Sequence, residues 1–193
     1  MSRNCVLWMV VSVDGYTNGP GGEFIPPAWS ADLDAWAAQC AVRFDTLLFG
    51  RLAWQGMADY WQSAETAPEA ATRDMARFMN STRKVVFSRT LATADAWRNS
   101  EIAQGDPAQV IPRLKAEGGK DIGLLASTRL AQTALASGMI DELALLVIPE
   151  LFGHGTRLFE GHGARRNLRL LETRAMDTGA MQKRYRVTRP DRS

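Results

Sequence analysis

Short apolar runs alternate with amphipathic stretches along most of the chain. Residues 5–13, CVLWMVVSV, are apolar at both odd and even positions, which predicts a strand buried on both faces. Apolar residues recur at spacings of three and four from Leu33 to Phe44, which predicts a helix with Ser30 as its N-cap. The same reasoning predicts further strands at residues 46–50, 84–88, 122–126, 142–149, 168–173 and 181–187, and further helices at residues 68–79, 107–117 and 127–138.

The order of these elements predicts an α/β fold. Helices placed between buried strands are typical of a mostly parallel central sheet, with helices on both faces to cover the apolar strands. The last two runs alternate polar and apolar residues, so they predict a hairpin that forms an antiparallel C-terminal edge. A chain of 193 residues with 46% hydrophobic residues can build one sizeable core, and we expect a single domain over residues 1–193.

Charge and cysteine content narrow the range of partners. The net charge of +2 is too small to imply a polyanionic partner. Basic residues outnumber acidic ones from Arg165 onward, and a solvated strand face explains this excess better than a nucleic-acid surface, because no aromatic stacking pattern accompanies it. Cys5 and Cys40 lie in apolar stretches, as expected of reduced thiols in the cytoplasm. The run at 5–13 is much shorter than a membrane span, so we expect no membrane partner and no nucleic-acid partner.

Three predicted strands end in residues that suit a phosphate. Gly50 and Arg51 follow one strand, Ser88 and Arg89 follow another, and residues 127–129 (Ser-Thr-Arg) follow a third. Open α/β sheets bind ligands at the C-terminal ends of their strands, where backbone N–H groups and helix N-termini attract anions. Each junction alone is also typical of a turn with a solvated cation, but three together favour a common anionic ligand. Ser88 and Arg89 offer the cationic, hydroxyl-bearing pocket that a ribose 2′-phosphate needs, which predicts a phosphorylated dinucleotide.

Other well-known sites are missing from the sequence. No G-x-G-x-x-G follows the first strand, and neither a Walker loop nor a G-x-S-x-G elbow is present. His154 and His162 lie in Gly-His-Gly triplets without neighbouring cysteines. This favours surface turns over a zinc site, and we expect no bound metal.

The strand-end motifs and their order resemble those of a known family. The segments CVLWMVVSVDG, DTLLFGRLAW, RKVVFSRTL and IGLLASTRLAQTALASGMIDELALLVIPELFGHGTRLF are similar to the dihydrofolate-reductase-like superfamily. The resemblance is greatest to the branch that contains the reductase domain of bifunctional riboflavin biosynthesis proteins, and it covers nearly the whole chain. It implies that NADPH crosses the sheet, with phosphates at the Gly-Arg turn and the late turn and the 2′-phosphate at the Ser-Arg turn. By this resemblance the cofactor-binding residues are Val11, Gly50, Arg51, Ser88, Arg89, Ala126, Ser127, Thr128, Arg129 and Leu130.

Three positions depart from the pattern of that family. Ala126 stands where glycine is common, and Ala53 stands where threonine is common. Leu125 stands where the riboflavin branch often has an acidic residue that contacts the substrate. The last difference argues against a ribosylaminopyrimidine as the substrate.

A carboxylate on the first helix is the expected proton source, because hydride addition to a C=N bond needs a proton delivered nearby. Asp32 and Asp34 are the candidates, and the spacing back from Gly50 favours Asp34. Each could instead be a first-turn acid that complements the helix dipole. The resemblance therefore implies an NADPH-dependent reductase that transfers hydride to a small flat nitrogen heterocycle of the pterin or pyrimidine type, acting as a homodimer. The alternative is a nucleotide-binding protein with the same cleft but no turnover.

Overall fold

The computed structural model describes residues 3–160 and 165–188. Its helices are α1 (Ala31–Ala41), α2 (Arg51–Ser63), α3 (Ala70–Ser81), α4 (Pro107–Ala116) and α5 (Thr128–Ala136), with a short 3₁₀ turn at Ala64–Thr66. Its strands are β1 (Cys5–Ser12), β2 (Phe44–Gly50), β3 (Arg83–Phe87), β4 (Ser100–Ile102), β5 (Asp121–Leu125), β6 (Glu142–Ile148), β7 (Asn167–Ala175) and β8 (Met181–Thr188).

All these strands join one sheet in the order β4-β3-β2-β5-β1-β6-β8-β7. The pairs from β4 to β6 are parallel, whereas β6 with β8 and β8 with β7 are antiparallel. This arrangement confirms the predicted parallel centre with an antiparallel C-terminal edge. Because β5 and β6 flank β1, the connection from β1 to β2 and the connection from β5 to β6 run in opposite directions across the sheet.

Helices cover both faces of the sheet, as the doubly apolar strands predict. Val6 on β1 packs with residues of α1, α2 and α3, whereas its neighbours Cys5 and Leu7 pack with residues of α4 and α5. Successive side chains of a strand point to opposite faces, so one apolar run contributes to both core layers. Among the helices of residues 3–160 and 165–188, none combines the length and the apolar composition that a membrane span requires.

Two elements and one boundary differ from the sequence-based expectation. Helix α2 was not predicted, because Trp54 and Ala58 are its only buried residues and give too weak a stripe. Strand β4 was also not predicted, because it is three residues long and only partly buried. Phe44 continues the apolar spacing of α1 but is the first residue of β2, since α1 ends at Ala41.

Candidate functional site

The predicted phosphate-binding junctions lie at the same end of the sheet, where its parallel strands end. Strands β3, β2 and β5 are parallel neighbours, so their C-terminal ends point the same way. Gly50 ends β2 opposite Phe87, which ends β3. The Gly50 N–H donates a hydrogen bond of 2.8 Å to the Ser127 hydroxyl, which follows β5. The three strand ends therefore form a continuous rim, and we call this the strand-end rim.

Two helices begin at this rim without side-chain caps. Gly50 is the N-cap of α2 and has no side chain to offer. Ser127 is the N-cap of α5, but its hydroxyl accepts the hydrogen bond from Gly50 instead of capping its own helix. The first N–H groups of a helix need an acceptor from outside the helix, and they carry the positive end of its dipole. The rim thus presents two sets of amide donors that suit an anion.

An arginine follows each of the three strand ends. Arg51 is the first residue of α2, and its guanidinium donates to the Gln55 side chain over 3.0 Å. Arg89 and Arg129 are exposed, and no acidic or hydrogen-bonding partner holds either guanidinium within residues 3–160 and 165–188. The Ser88 hydroxyl accepts hydrogen bonds from Thr90 N and Leu91 N over 3.1 Å and 3.0 Å, which leaves its own hydrogen available to donate.

A gap opens beside the rim where β1 separates from β5. Trp8 and Leu125 form the last pair between these strands, while β1 continues to pair with β6 as far as Ser12. Val11 lies in this extension, and its buried side chain faces the α4 and α5 layer. The Val11 side chain therefore does not point to the α1 face, and Val11 can contact a ligand in the gap through its backbone atoms.

The turn from β5 to α5 explains why glycine is common there in the resembling family. Ala126 has a φ of +51°, a left-handed conformation that costs little for glycine and more for alanine. Thr128 places its hydroxyl 2.6 Å from that of Thr17, which links α5 to the loop after β1. Leu130 is buried in the core beneath this turn, so it positions the helix from below.

The two candidate carboxylates on α1 have different surroundings. Asp32 forms an ion pair with Arg174 and accepts a hydrogen bond of 3.3 Å from Asp177 N, so it ties α1 to the β7–β8 hairpin. Asp34 is half-buried, and no described residue hydrogen-bonds to its carboxylate. Of the two candidates, Asp34 is therefore the one whose carboxylate has no hydrogen-bond partner among the described residues.

Asp14 has a structural role in the loop after β1. Its carboxylate accepts hydrogen bonds of 2.6 Å from the Ser12 hydroxyl, 3.1 Å from Phe152 N and 2.8 Å from Gly153 N. The Ser12 bond and these amide bonds lower the pKa of Asp14 from 3.8 to about 2. A carboxylate this acidic holds the loop against residues 152–153 and does not deliver protons near neutral pH.

The sequence-based expectation of no metal site concerns two histidines. In the ranges 3–160 and 165–188, no group of three or more His, Cys, Asp and Glu side chains could hold a metal ion. His154 is exposed in its Gly-His-Gly turn. His162 lies outside the described residues.

The chain is similar to known proteins along most of its length. The profile of the RibD C-terminal domain matches residues 3–181. The chain belongs to the RibD C-terminal domain family. YyaP, an uncharacterized protein of Bacillus subtilis (strain 168), is 30% identical over 182 residues, which cover 93% of each chain.

Solved structures show the same fold as this RibD C-terminal domain. A pyrimidine reductase-like protein from Corynebacterium diphtheriae superposes with a TM-score of 0.66 at 15% identity, over 97% of this chain and 93% of the other. A diaminohydroxyphosphoribosylaminopyrimidine deaminase/5-amino-6-(5-phosphoribosylamino)uracil reductase from Thermotoga maritima superposes with a TM-score of 0.69 at 11% identity. This match covers 97% of the chain and 57% of the longer Thermotoga protein. The resemblance to the riboflavin biosynthesis reductase branch and the predicted α/β fold, a mostly parallel sheet with an antiparallel C-terminal edge, are therefore confirmed.

Proposed function

We propose that this chain is an NADPH-dependent reductase that transfers hydride to a small flat nitrogen heterocycle of the pterin or pyrimidine type. Membership of the RibD C-terminal domain family supports the reaction class. The Thermotoga protein with the same fold is called a 5-amino-6-(5-phosphoribosylamino)uracil reductase, and the Corynebacterium protein is called pyrimidine reductase-like. Leu125 is buried and apolar, so a substrate without a phosphoribosyl group remains the better match.

The hydrogen bond from Gly50 N to Ser127 Oγ is the observation that carries the proposal. It brings two uncapped helix N-termini to the same rim, where their amides can bind the pyrophosphate of a dinucleotide. Arg51, Arg129 and the Thr128 hydroxyl would add donors around these phosphates. Ser88 and Arg89 would bind the 2′-phosphate, which distinguishes NADPH from NADH.

We expect the substrate to bind beside the gap between β1 and β5, where hydride and proton transfer would take place. NADPH supplies the hydride when it is bound. Asp34 lies on α1, which covers the face of β1 that carries Trp8 and Val10. A heterocycle placed between α1 and the gap would have its ring nitrogen near this carboxylate, which would hold the proton that the reduced ring requires.

Binding of NADPH is the first test of this proposal. NADPH at a hundred times its dissociation constant should raise the free energy of unfolding by about 2.7 kcal/mol, measured by thermal unfolding with and without the nucleotide.

Arg89→Ala should raise the dissociation constant for NADPH by about tenfold or more, because a charge-assisted hydrogen bond is lost. The same variant should leave NADH binding unchanged.

Arg77→Ala is the matched control for Arg89→Ala. Arg77 is an exposed arginine on α3 whose partner is Asp74 on the same helix, 3.0 Å away. Its removal should alter neither NADPH nor NADH binding. Absence of NADPH protection in the wild-type protein would refute the cofactor assignment, and equal loss of NADPH and NADH binding in Arg89→Ala would refute the 2′-phosphate pocket.

The alternative function is a nucleotide-binding protein with this cleft but no turnover. Leu125 favours this alternative, because the riboflavin branch often has at this position an acidic residue that contacts the substrate. The loss of NADPH absorbance with any pterin or pyrimidine would exclude this alternative. Protection by NADPH without oxidation across a panel of both ring classes would favour it over the reductase.

We also propose that the protein is a homodimer and works in the cytoplasm. Leu168 and Leu170 on the edge strand β7 are 46% and 53% exposed, and a second copy could cover them. Cys5 and Cys40 are both buried and unpaired, which fits a reducing compartment. Leu170→Glu should convert a dimer to a monomer in light scattering, whereas Val42→Glu, at an exposed position after α1, should not. A wild-type monomer would refute the homodimer.

A further inference from the structure

Two loops lie beside the first turns of helix α5. Residues 14–19 follow β1 and residues 153–158 follow β6, and backbone hydrogen bonds of 2.9 Å and 3.0 Å join the two segments. The Gln132 side chain on α5 donates to the Arg157 carbonyl oxygen over 2.8 Å, which ties them to the helix. We call these two segments the loop pair.

A pair of threonine hydroxyls joins the loop pair to the strand-end rim. Thr128 is the first residue of α5, and its Oγ1 lies 2.6 Å from the Oγ1 of Thr17. Both residues are half-buried. The Thr17 hydroxyl is also 3.1 Å from the Thr156 carbonyl oxygen, so it has two acceptors for one hydrogen. At 2.6 Å, one of the two hydroxyls donates a hydrogen bond to the other.

The hydrogen of the Thr17 hydroxyl can turn to Thr128 without leaving the Thr156 carbonyl unpaired. This carbonyl oxygen also accepts the backbone N–H of Thr17 over 3.0 Å, and that hydrogen bond remains when the hydroxyl turns away. With Thr17 as the donor, Thr128 Oγ1 accepts one hydrogen bond and its own hydrogen is available to a ligand. With Thr128 as the donor, that hydrogen is used within the protein. The direction of one hydrogen bond therefore decides whether Thr128 can donate to a ligand at the rim.

We propose that Thr17 is a positioning residue for the cofactor phosphates and acts through Thr128. Thr17 donates to Thr128, and Thr128 donates to a phosphate oxygen at the N-terminus of α5, which makes a relay of two hydrogen bonds. A hydroxyl that accepts a hydrogen bond becomes a stronger donor, because each bond polarises the next. This inference rests on the proposed function, which assigns the pyrophosphate to the strand-end rim. The relay serves the pyrophosphate that NADPH and NADH share, and not the 2′-phosphate at Ser88 and Arg89.

Thr17→Val tests the relay, because valine keeps the shape of threonine and removes the hydroxyl. It should raise the dissociation constants for NADPH and for NADH by about fivefold each, measured by isothermal titration calorimetry on the full chain. Thr17→Ser keeps the hydroxyl and should bind both nucleotides like the wild type. The loop pair should stay in place in Thr17→Val, since the Thr17 backbone N–H and the Gln132 side chain still hold it.

The same substitution in a Thr128→Val background separates the relay from a role in loop structure. There Thr17→Val should cause no further loss of affinity, because the hydroxyl through which it acts is already missing. Thr133→Val is the matched control on the same helix. Thr133 is exposed, and its hydroxyl donates to the Arg129 carbonyl oxygen over 3.0 Å, so this variant should bind both nucleotides like the wild type.

The contrary outcomes distinguish the relay from the proposed function. Unchanged or tighter nucleotide binding by Thr17→Val would overturn the relay, and tighter binding would mean that Thr17 competes with the phosphate for the Thr128 hydrogen. A loss of the same size in the Thr128→Val background would also overturn it and leave Thr17 a structural residue of the loop pair. Failure of the wild type to bind either nucleotide would refute the proposed function itself, and the relay with it.

Discussion

Asp34→Asn should lower the turnover number of the proposed reductase by about 10²–10⁴ and leave NADPH binding unchanged. Asparagine keeps the size and polarity of the side chain but cannot hold the proton that the reduced ring requires. Asp34 is open to this role because no described residue hydrogen-bonds to its carboxylate. The measurement is the rate of NADPH oxidation with the pterin or pyrimidine that the wild type reduces best, together with an NADPH titration of the variant.

Asp32→Asn is the matched control for this prediction. Asp32 lies two residues away on the same first turn, but its carboxylate is engaged by Arg174 and Asp177 N. Its replacement should change stability slightly, because Arg174 is 48% exposed and water screens the pair, and it should change turnover hardly at all. A greater loss of turnover in Asp32→Asn than in Asp34→Asn would reverse the assignment, and full activity in both variants would place the proton source elsewhere.

The position of the strand-end rim could be predicted because its signals are local. A run of three apolar residues followed by Gly50 or Ser88 is visible in the sequence alone. Parallel neighbouring strands have their C-terminal ends at the same end of the sheet, so the shared rim follows from the fold class. The predicted element boundaries agree with the structure to within a few residues, and β6 begins at Glu142 as predicted.

The contacts that distinguish one candidate from another could not be predicted, because they join distant parts of the chain. The bond between Gly50 and Ser127 connects residues 77 positions apart. The pairing of Asp32 with Arg174 spans 142 positions, and it is what separates Asp32 from Asp34. Neither partner choice is encoded in a local spacing. The unpredicted α2 also reflects tertiary context, since the helix is stabilised by Trp54, whose indole N–H donates to the Ser100 hydroxyl over 2.9 Å.

Tryptophan shows the same limit of sequence reasoning. From the sequence alone, Trp29, Trp36 and Trp54 could each either line a binding site for a flat ring or pack in the core. Trp54 is 2% exposed and Trp36 is 4% exposed, so both belong to the core. Trp29 is 63% exposed in the loop before α1, and it alone of the three has a free face. An aromatic residue has the same appearance in sequence whether it fills a core or faces a ligand.

Glu142→Ala should lower the free energy of unfolding by about 3–5 kcal/mol at neutral pH, measured by chemical denaturation. The Glu142 side chain is 2% exposed, and its carboxylate accepts from Arg43 over 2.7 Å and from Arg184 over 3.0 Å. Removal of this carboxylate leaves two guanidinium groups with less compensation in a poorly solvated place. Glu172→Ala is the control, because Glu172 also pairs with Arg184 at 2.8 Å but is 40% exposed, and we expect a loss below about 1 kcal/mol.

Acid should reduce the difference between Glu142→Ala and the wild type. Burial raises the pKa of Glu142, but the hydrogen bonds from Arg43 and Arg184 outweigh it and hold the pKa below its usual value. A carboxyl with a lowered pKa stabilises the fold fully above its unfolded-state pKa, about 4.3, and loses that contribution as the pH falls through the folded-state value. The difference between the two proteins should therefore be constant at neutral pH and begin to shrink as the pH falls below about 4.3. A constant difference across this range would show that lost packing, and not the charge of Glu142, accounts for the effect.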